Sequence, residues 1–401
     1  MKIGILSRQP RSYSTRRLRE AATGRGHRVQ VLDTLRFSIS LEQERPGLHY
    51  RQRRLGTLDA VIPRIGAGIT FFGLAVLRQF EMMGVYTAND SMSIARSRDK
   101  LRAIQLLSRY DIGIPATEFV RDSADIIPAI RRVGGVPVIL KVLEGAQGVG
   151  VILAESEKMA EAIIQTLHSA RQNILIQNFV RESEGRDLRA LVVGDRVVAA
   201  MRRMARPGEF RSNVHRGAKV EAVDLPPEYE RTALRAAQIM GLRVAGVDML
   251  ETSAGPQVLE VNSSPGFEGL EQATGIDVAG AVIEDIERNV LSPEMELRQR
   301  LRLPGGYGIA ELHVHQMPAL EHHTLREIDL AGRNIQLMSI TRHDGVLSNP
   351  SIDETILPGD RLLCYGELLE LRNLIGAEKK RRRKKRPRPG DTQGGESTGS
   401  A

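Results

Sequence analysis

Two short apolar segments joined by a small polar turn constrain the fold of this chain more than any other feature. The segments are residues 247–250 and 258–266, and the turn between them contains Ser-Ala-Gly-Pro. Segments of this kind around such a turn predict an antiparallel hairpin. The turn places Asp248 opposite Glu260. Asn262 shares the face of Glu260 because side chains alternate with period two.

The three polar side chains of this hairpin predict a site for a hard divalent cation. Two carboxylates among Val, Met and Leu repel each other and are costly to desolvate unless a cation compensates them. An all-oxygen set with few protein ligands suits Mg²⁺, whose open positions take water and phosphate oxygens. Alternatively, the acids are incidental residues on a solvated hairpin edge, since carboxylate clusters have many causes.

Length and composition indicate a soluble, multidomain α/β enzyme. The 401 residues are enough for two to four domains, and the chain has 4% aromatic residues, 38 glycines and no tryptophan. Residues 1–6 predict a strand rather than a signal peptide, and no apolar run reaches membrane-spanning length, so we expect a cytoplasmic protein. The single cysteine, Cys364, excludes a disulfide framework and is predicted to be a small buried hydrophobe.

The net charge of +8 belongs to one segment near the C-terminus. Residues 379–386 are an unbroken basic octet, and Arg388 adds a ninth cation. Without the segment after Glu378, the chain keeps 48 basic and 47 acidic residues. The body of the protein is therefore nearly neutral.

The pattern of elements predicts several domains along the chain. Strand and helix patterns alternate through the N-terminal part, and one amphipathic helix is predicted from about 91 to 110. Composition shifts then mark the boundaries. The predicted parts are a small α/β domain (1–95), a larger mixed domain (96–290), a linker (291–306), a compact segment (307–376) and a disordered basic tail (377–401).

A lysine in an apolar strand, followed by a glycine-rich loop, predicts an anion site. Lys141 lies in the strand-like segment 138–142, and the loop 144–150 carries three glycines. Glycines let backbone N–H groups approach an anion closely, and a lysine in an apolar strand needs an anion partner. The loop is not a Walker A motif, because the G-x-x-x-x-G-K-[ST] pattern is absent. The alternative is a plain hairpin turn.

Three further features fit one nucleotide pocket. The extended segment 174–180 could present its backbone and Asn178 to an adenine edge. Asp187 could face a ribose or a lysine, or be an ordinary surface acid. Arg211, in the segment 210–213, could clamp a transferring phosphate, or belong to a solvated basic loop.

In this order, the motifs resemble those of the ATP-grasp superfamily and, within it, the RimK family, over about residues 1–290. The residues that carry the resemblance are Lys100, Lys141, the glycine loop 144–150, Gln177-Asn178-Phe179, Asp187, Arg211-Ser212-Asn213, Asp248, Glu260 and Asn262. One departure is Asn178, where family members usually carry a glutamate. Its carbonyl oxygen can still accept from an adenine amino group.

The resemblance implies an α/β (α+β) ATP-grasp fold with a small N-terminal pre-ATP-grasp domain. It also implies an ATP- and Mg²⁺-dependent ligase that adds L-glutamate to the C-terminus of a small-subunit ribosomal protein through an acyl phosphate. Two Mg²⁺ ions are expected on Asp248, Glu260 and Asn262, with Mn²⁺ as a substitute. Arg211 is expected to stabilise developing charge. The implied nucleotide-binding residues are Lys100, Lys141, Asn178, Phe179, Asp187, Arg211, Ser212 and Asn213.

Two other functions share these motifs. A related ligase that joins an amino acid to a carrier protein or a small molecule uses the same ATP and metal residues. A nucleotide-responsive regulatory protein with vestigial catalysis is the alternative from another class. The intact set of Asp248, Glu260 and Asn262 favours an enzyme.

The segment 307–376 resembles the TrkA-C (RCK C-terminal) domain, chiefly through its helix pattern and Pro358-Gly359-Asp360. The resemblance implies a small α+β regulatory or oligomerising module, and a homo-oligomer is expected. His313, His315, His322 and His323 lack strong metal-ligand spacing and are predicted to be ordinary strand and loop residues.

The basic octet has two interpretations. It could attract ribosomal RNA in a salt-dependent manner, which would concentrate a ribosome-modifying enzyme near its substrate. Alternatively, it is a solubilising tail without a partner, as charge runs often are.

Overall fold

The computed structural model describes residues 1–41, 47–143, 150–212, 217–291, 301–302, 307–314, 317, 320–342, 345–367 and 370–371. The chain divides into two compact units, Met1–Arg288 and Asn289–Ala401, and each is described by itself. Within the described residues, no helix combines the length and the apolar character that crossing a bilayer requires.

The elements up to residue 291 alternate between strands and helices. The strands are β1 (Lys2–Leu6), β2 (Arg28–Leu32), β3 (Phe37–Ser40), β4 (Gly47–Tyr50), β5 (Arg53–Arg54), β6 (Ala60–Pro63), β7 (Tyr86–Thr87), β8 (Thr117–Phe119), β9 (Val138–Val142), β10 (Val151–Ala154), β11 (Ile174–Asn178), β12 (Arg186–Val193), β13 (Arg196–Met204), β14 (Lys219–Ala222), β15 (Val244–Thr252) and β16 (Gly255–Asn262). The helices are α1 (Tyr13–Gly24), α2 (Thr70–Met82), α3 (Ser91–Arg98), α4 (Lys100–Arg109), α5 (Ile126–Arg132), α6 (Glu157–Ser169), α7 (Pro227–Met240), α8 (Glu268–Thr274) and α9 (Val278–Leu291).

The N-terminal part is a parallel sheet with strand order β2-β1-β6-β7. Four consecutive residues of β1 are buried, as expected for a parallel strand that is covered on both faces. Helix α2 places Phe80 and Leu77 in the core beside this sheet. The strands and the first helix predicted here are confirmed, and a small antiparallel sheet, β3-β4-β5, is added to them.

The single helix predicted from 91 to 110 is wrong, because α3 and α4 are separate helices that meet at Asp99. Asp99 is extended (φ −82°, ψ 97°), and its carboxylate accepts from the backbone N–H of Arg102. An aspartate that satisfies free N–H groups favours a helix start over a helix interior. The amphipathic pattern continues across this cap, which is why the pattern alone predicts one helix. The break makes Lys100 the first residue of α4.

Two antiparallel sheets build the rest of this unit, with orders β10-β9-β11-β8 and β14-β13-β12-β15-β16. One face of the five-stranded sheet is apolar and includes Ala190, Val247 and Met249, which belong to the same core as residues of α7. The opposite face carries the polar residues of the site. Alternation along the strands separates these two sets.

The predicted hairpin is confirmed as β15 and β16, which a turn at Ser253 and Ala254 connects. In the observed register, Asp248 pairs with Glu260. The register shifts directly after this pair, where Met249 pairs with Val258. A bulge of this kind re-aims neighbouring side chains and is common next to functional sites.

The second unit is an antiparallel sheet with one short helix. Its elements are β17 (Leu301–Arg302), β18 (Tyr307–His313), α10 (Leu325–Ile328), β19 (Ile335–Arg342), β20 (Gly345–Ser348) and β21 (Arg361–Glu367), with sheet order β17-β18-β21-β19-β20. Thr324 begins α10 with a capping box. Cys364 is fully buried in the core, as predicted, and burial raises the pKa of its thiol to about 12.

Several predictions for this region stay predictions. The proposed linker 291–306 contains the short strand β17, which pairs with β18. The basic tail 377–401 and His315 lie outside the described residues. The likeness of this unit to a TrkA-C domain remains an expectation from the sequence.

Candidate active site

Two lysines from different elements meet at the end of β9. Lys141 is on β9, and Lys100 begins α4. The Lys100 Nζ donates to the carbonyl oxygen of Val142 at 2.7 Å, which anchors the second ammonium beside the first. The lysine of the predicted anion site therefore has a cationic neighbour.

The charges of both lysines interact with the hairpin acids. Burial lowers the pKa of Lys141 to about 8; the Glu260 carboxylate opposes this shift, Lys100 adds to it, and Asp248 opposes it. Burial also lowers the pKa of Lys100, again with Glu260 opposing. The structure therefore places Lys100, Lys141, Asp248 and Glu260 within electrostatic reach across the two antiparallel sheets, and their roles stay predictions.

Asp248 is buried between two arginines. Arg189, its neighbour on β12, donates from Nε and Nη2 to both carboxylate oxygens at 2.7 and 2.6 Å. Arg203 Nη2 lies 2.9 Å from Oδ2. Burial alone raises the pKa of Asp248, but the two guanidiniums outweigh burial and hold the pKa well below its ordinary value. Asp248 is therefore an anion.

Asp187 is neither a surface acid nor paired with a lysine. It is buried on β12, and Arg203 donates to both of its oxygens at 2.6 and 2.7 Å. Ser212 Oγ donates to Asp187 Oδ2 at 2.6 Å. Arg203 therefore bridges Asp187 and Asp248, which links the segment containing Ser212 to the β15–β16 hairpin.

Sequence reasoning missed Arg189 and Arg203. A signal for Arg189 exists, because Asp187 and Arg189 are two residues apart and share one face of β12. No comparable signal identifies Arg203, since its neighbour Arg202 is also basic and lies on the other face, paired with Glu251 and Glu221.

Glu260 and Asn262 are the open members of the predicted metal site. Glu260 is exposed, and Asn262 Nδ2 donates to its Oε1 at 2.8 Å. In the part of the chain that the structure describes, no cluster of three or more His, Cys, Asp or Glu side chains is arranged to hold a metal. The predicted donor set has two acids and one amide, so it depends on further oxygens from water and phosphate.

The charge balance around these residues fits a metal nucleotide. Three acids lie in the network, and the cations that contact or electrostatically influence them outnumber them. An excess of positive charge suits a polyphosphate, and the oxygen set suits the Mg²⁺ that accompanies it. The acids are Asp187, Asp248 and Glu260, and the cations are Arg98, Lys100, Lys141, Arg189 and Arg203.

For the remaining predicted residues, the structure shows contacts with neighbouring protein groups rather than with the two lysines or the hairpin acids. Arg211 donates from Nε and Nη2 to Glu209 at 2.9 and 3.0 Å, and its guanidinium lies 5.1 Å from the Phe210 ring centroid. Asn178 Nδ2 donates to the Val133 carbonyl oxygen at 2.7 Å, which ties β11 to the end of α5. Phe179 follows it and is half-buried. Asn213 and loop residues 144–149 lie outside the described residues, and the roles of this group stay predictions.

Solved structures show the fold class. The ATP-grasp ligase PsnB, in a complex with a phosphomimetic variant of its minimal precursor, Mg and ADP, matches with a TM-score of 0.56 and 22% identity. The match covers 71% of this chain and 97% of PsnB. A RimK domain ATP-grasp protein from Sphaerobacter thermophilus matches with a TM-score of 0.55 and 24% identity, over 71% of this chain and 99% of that one. These likenesses define an ATP-grasp fold.

Family models and relatives give the family within that class. Residues 97–286 match the RimK-like ATP-grasp domain, and residues 1–94 match the RimK pre-ATP-grasp domain. The chain belongs to the RimK family of ATP-grasp proteins. It is accordingly an ATP-dependent carboxylate–amine ligase.

Two relatives illustrate how far the similarity extends. A protein of Rhodopirellula baltica named probable alpha-L-glutamate ligase is 57% identical over 388 residues, 97% of this chain and 95% of that protein. A protein of Pseudomonas entomophila with the same name is 56% identical over 289 residues, 72% of this chain and 96% of that protein. The first match is too long to be confined to the ATP-grasp region, so it includes part of the second unit.

Proposed function

We propose that this protein is an ATP- and Mg²⁺-dependent ligase that adds L-glutamate to the C-terminus of a small-subunit ribosomal protein. The names of the relatives support glutamate as the amino acid. The observation that carries the proposal is the position of Lys100, whose Nζ donates to the Val142 carbonyl oxygen beside Lys141, so that the Glu260 charge acts on both lysines. A carboxylate and a triphosphate repel each other, so a ligase must above all neutralise and position charge.

The metal would be held by Asp248, Glu260 and Asn262, where it would neutralise phosphate charge. Lys100 and Lys141 bind the phosphates. Arg189 and Arg203 hold Asp248 ionised and in place, so they act as positioning residues. Arg211 stabilises the charge that develops on the transferring group.

The reaction proceeds in two balanced steps. An oxygen of the acceptor carboxylate attacks the terminal phosphorus of ATP, and ADP leaves. The amine of glutamate then attacks the acyl carbon, phosphate leaves, and the nitrogen loses a proton. No side chain of the protein forms a covalent bond with substrate in either step, so the protein contributes orientation and electrostatics.

The direct test uses the purified protein with Mg²⁺, ATP, L-glutamate and a candidate acceptor. We expect ADP release that depends on the acceptor, and an acceptor mass that grows by whole glutamate residues. Growth of a carrier protein or small molecule instead would support the related ligase. Loss of turnover in Lys141→Ala, with an unchanged circular dichroism spectrum, is expected in either case.

A purely regulatory role makes a different prediction. A nucleotide-responsive protein with vestigial catalysis would bind ATP but release no ADP with any acceptor. Sustained ADP release by the unmodified chain, lost in Lys141→Ala, would exclude that role.

The basic octet supports a partner proposal of its own. We infer that residues 379–386 add attraction to ribosomal RNA, because nine cations lie within ten residues. Deletion of residues 379–401 is expected to weaken co-sedimentation with ribosomes, most strongly at low salt. Unchanged sedimentation would indicate a solubilising tail. The ligase proposal has four further parts: a homo-oligomeric state, a cytoplasmic location, two bound metal ions, and Mn²⁺ as a substitute for Mg²⁺.

A further inference from the structure

Two arginines outside the proposed metal- and phosphate-binding residues lie next to the end of the β15–β16 hairpin, and one of them, Arg98, belongs to the cations around Glu260. Arg64 follows β6, and its Nη1 donates to the carbonyl oxygen of Pro265 at 2.6 Å, just beyond β16. Arg98 ends α3, and its Nη2 donates to the carbonyl oxygen of Ile65. Among the described residues, neither guanidinium forms an ion pair with a carboxylate. Each therefore keeps most of its five N–H donors available.

Both side chains are half-buried, and within the described part of the chain no ion pair compensates their charge. Burial lowers the pKa of Arg64 to about 10, and the like charge of Arg98 lowers it further. Burial also lowers the pKa of Arg98, with only the Glu260 charge opposing it. The Nε of Arg98 is buried and has no hydrogen-bond partner. Desolvated cations with unused donors are costly in free energy, and a bound anion would offset that cost.

Open backbone lies next in sequence to the residues whose carbonyl oxygens the two arginines contact. Gly66 and Gly68 follow Arg64, and Gly266 follows its partner Pro265. A Cβ added at any of these three glycines would meet nothing within 4 Å. The backbone at these three glycines is therefore open to an approaching molecule.

We propose that Arg64 and Arg98 bind a carboxylate of a substrate, beside the metal-binding end of β16. Guanidinium groups match carboxylates in shape and charge. Arg98 and Lys100 flank Asp99, so the proposed carboxylate site and the proposed phosphate site are adjacent in sequence. The Glu260 charge also acts on both of these cations. The inference deepens the ligase function proposed above and rests on it. The carboxylate could come from the acceptor C-terminus or from glutamate.

A structural role predicts a different result. If the two side chains only tie β6 and α3 to the end of the hairpin, their replacement lowers stability and all kinetic constants together. If they bind a carboxylate, replacement raises the KM of one carboxylate substrate and leaves the KM for ATP nearly unchanged.

The kinetic experiment compares Arg64→Gln and Arg98→Gln with Arg19→Gln, a control at an exposed residue of α1. Each site variant is expected to raise the KM for acceptor or for glutamate roughly tenfold or more, since hydrogen bonds to charged groups are strong. The affected substrate identifies the source of the carboxylate. Arg98→Lys, which keeps the charge but not the fork, is expected to recover part of the loss. Unchanged KM values for both substrates would overturn the proposal.

A binding experiment separates this inference from the ligase function. L-glutamate, a peptide with a free C-terminus and the same peptide with a C-terminal amide are titrated into protein saturated with Mg²⁺ and a non-hydrolysable ATP analogue. Binding of a carboxylate by the unmodified chain, weakened in Arg98→Gln, supports the site even if no ADP is released. If the unmodified chain binds none of these carboxylates, or if Arg98→Gln binds them equally well, the inference is wrong whatever the turnover.

Discussion

At the residue scale, Arg203 compensates the charges of two buried carboxylates of the site. It is buried and contacts both Asp187 and Asp248, while Arg189 contacts only Asp248. Two buried carboxylates on adjacent strands are tolerable only because these guanidiniums lie between and beside them. The proposed metal binding at Asp248 therefore depends on arginines that need not touch the nucleotide.

Removal of Arg203 is predicted to destabilise the protein strongly. Arg203→Met leaves two buried carboxylates short of a partner, which should lower the free energy of unfolding by roughly 3–5 kcal/mol. Urea denaturation measures the loss. Arg196→Ala on the same strand removes an exposed pair with Glu284 and should cost about 0–1 kcal/mol. Equal effects of the two substitutions would contradict the bridging role.

The lowered pKa of Lys141 predicts opposite pH trends for binding and stability. Above a pH of about 8 the ammonium of the free protein loses its proton, so nucleotide binding should weaken there. The unfolded chain keeps a lysine with the ordinary, higher pKa. It therefore binds more protons above that pH, and this group's contribution to stability should rise with pH. Nucleotide titrations and denaturation between pH 7 and 10 are compared with the same data for Lys141→Met, which should lack both trends.

At the element scale, the break between α3 and α4 places Lys100, the lysine that we propose binds phosphate. Because Asp99 caps α4, Lys100 occupies its first turn and reaches the Val142 carbonyl oxygen on β9. The bulge after Asp248 acts in a similar way on the hairpin, since it changes the register next to the proposed metal ligands. Both features interrupt a regular element beside the site.

Loss of the cap is predicted to affect both stability and nucleotide affinity. Asp99→Ala should cost about 1 kcal/mol and weaken ATP binding, because the first turn that carries Lys100 frays. Asp99→Asn, which can still cap, should recover both. Asp122→Ala removes a comparable cap before residue 123 and should leave ATP affinity unchanged. Normal ATP affinity in Asp99→Ala would show that the cap does not position Lys100.

At the scale of the whole molecule, the chain has two units with separate cores. One core includes Phe80 and Val247, and another includes Leu362 and Cys364. The ATP-grasp residues all belong to the first unit. Nucleotide binding should therefore stabilise one unit directly.

Calorimetry of the full chain is predicted to show two unfolding transitions. Mg²⁺ and ATP at a hundredfold excess over Kd should stabilise one of them by about 2.7 kcal/mol. Leu362→Ala, in the fully buried core of the second unit, should destabilise the other by roughly 2–5 kcal/mol. A single transition that responds to both changes would show that the units unfold together.

The sequence by itself determined the hairpin and the pairing of Asp248 with Glu260, because period-two alternation and a turn fix which side chains face each other within a few residues. It also determined that Lys141 is a cation in an apolar strand, where the structure places it half-buried. The fold class was predictable for a different reason, because motifs that resemble those of the ATP-grasp superfamily occur in the same order along this chain.

Only the tertiary structure decided the partners that come from distant strands. Arg203 meets Asp248 through β12, and Lys100 meets Val142 through the packing of α4, which no local pattern specifies. Asn178 shows the same limit, since its amide is committed to Val133 rather than left open. Side-chain pairing between strands far apart in sequence depends on register and burial, and these are properties of the assembled sheets.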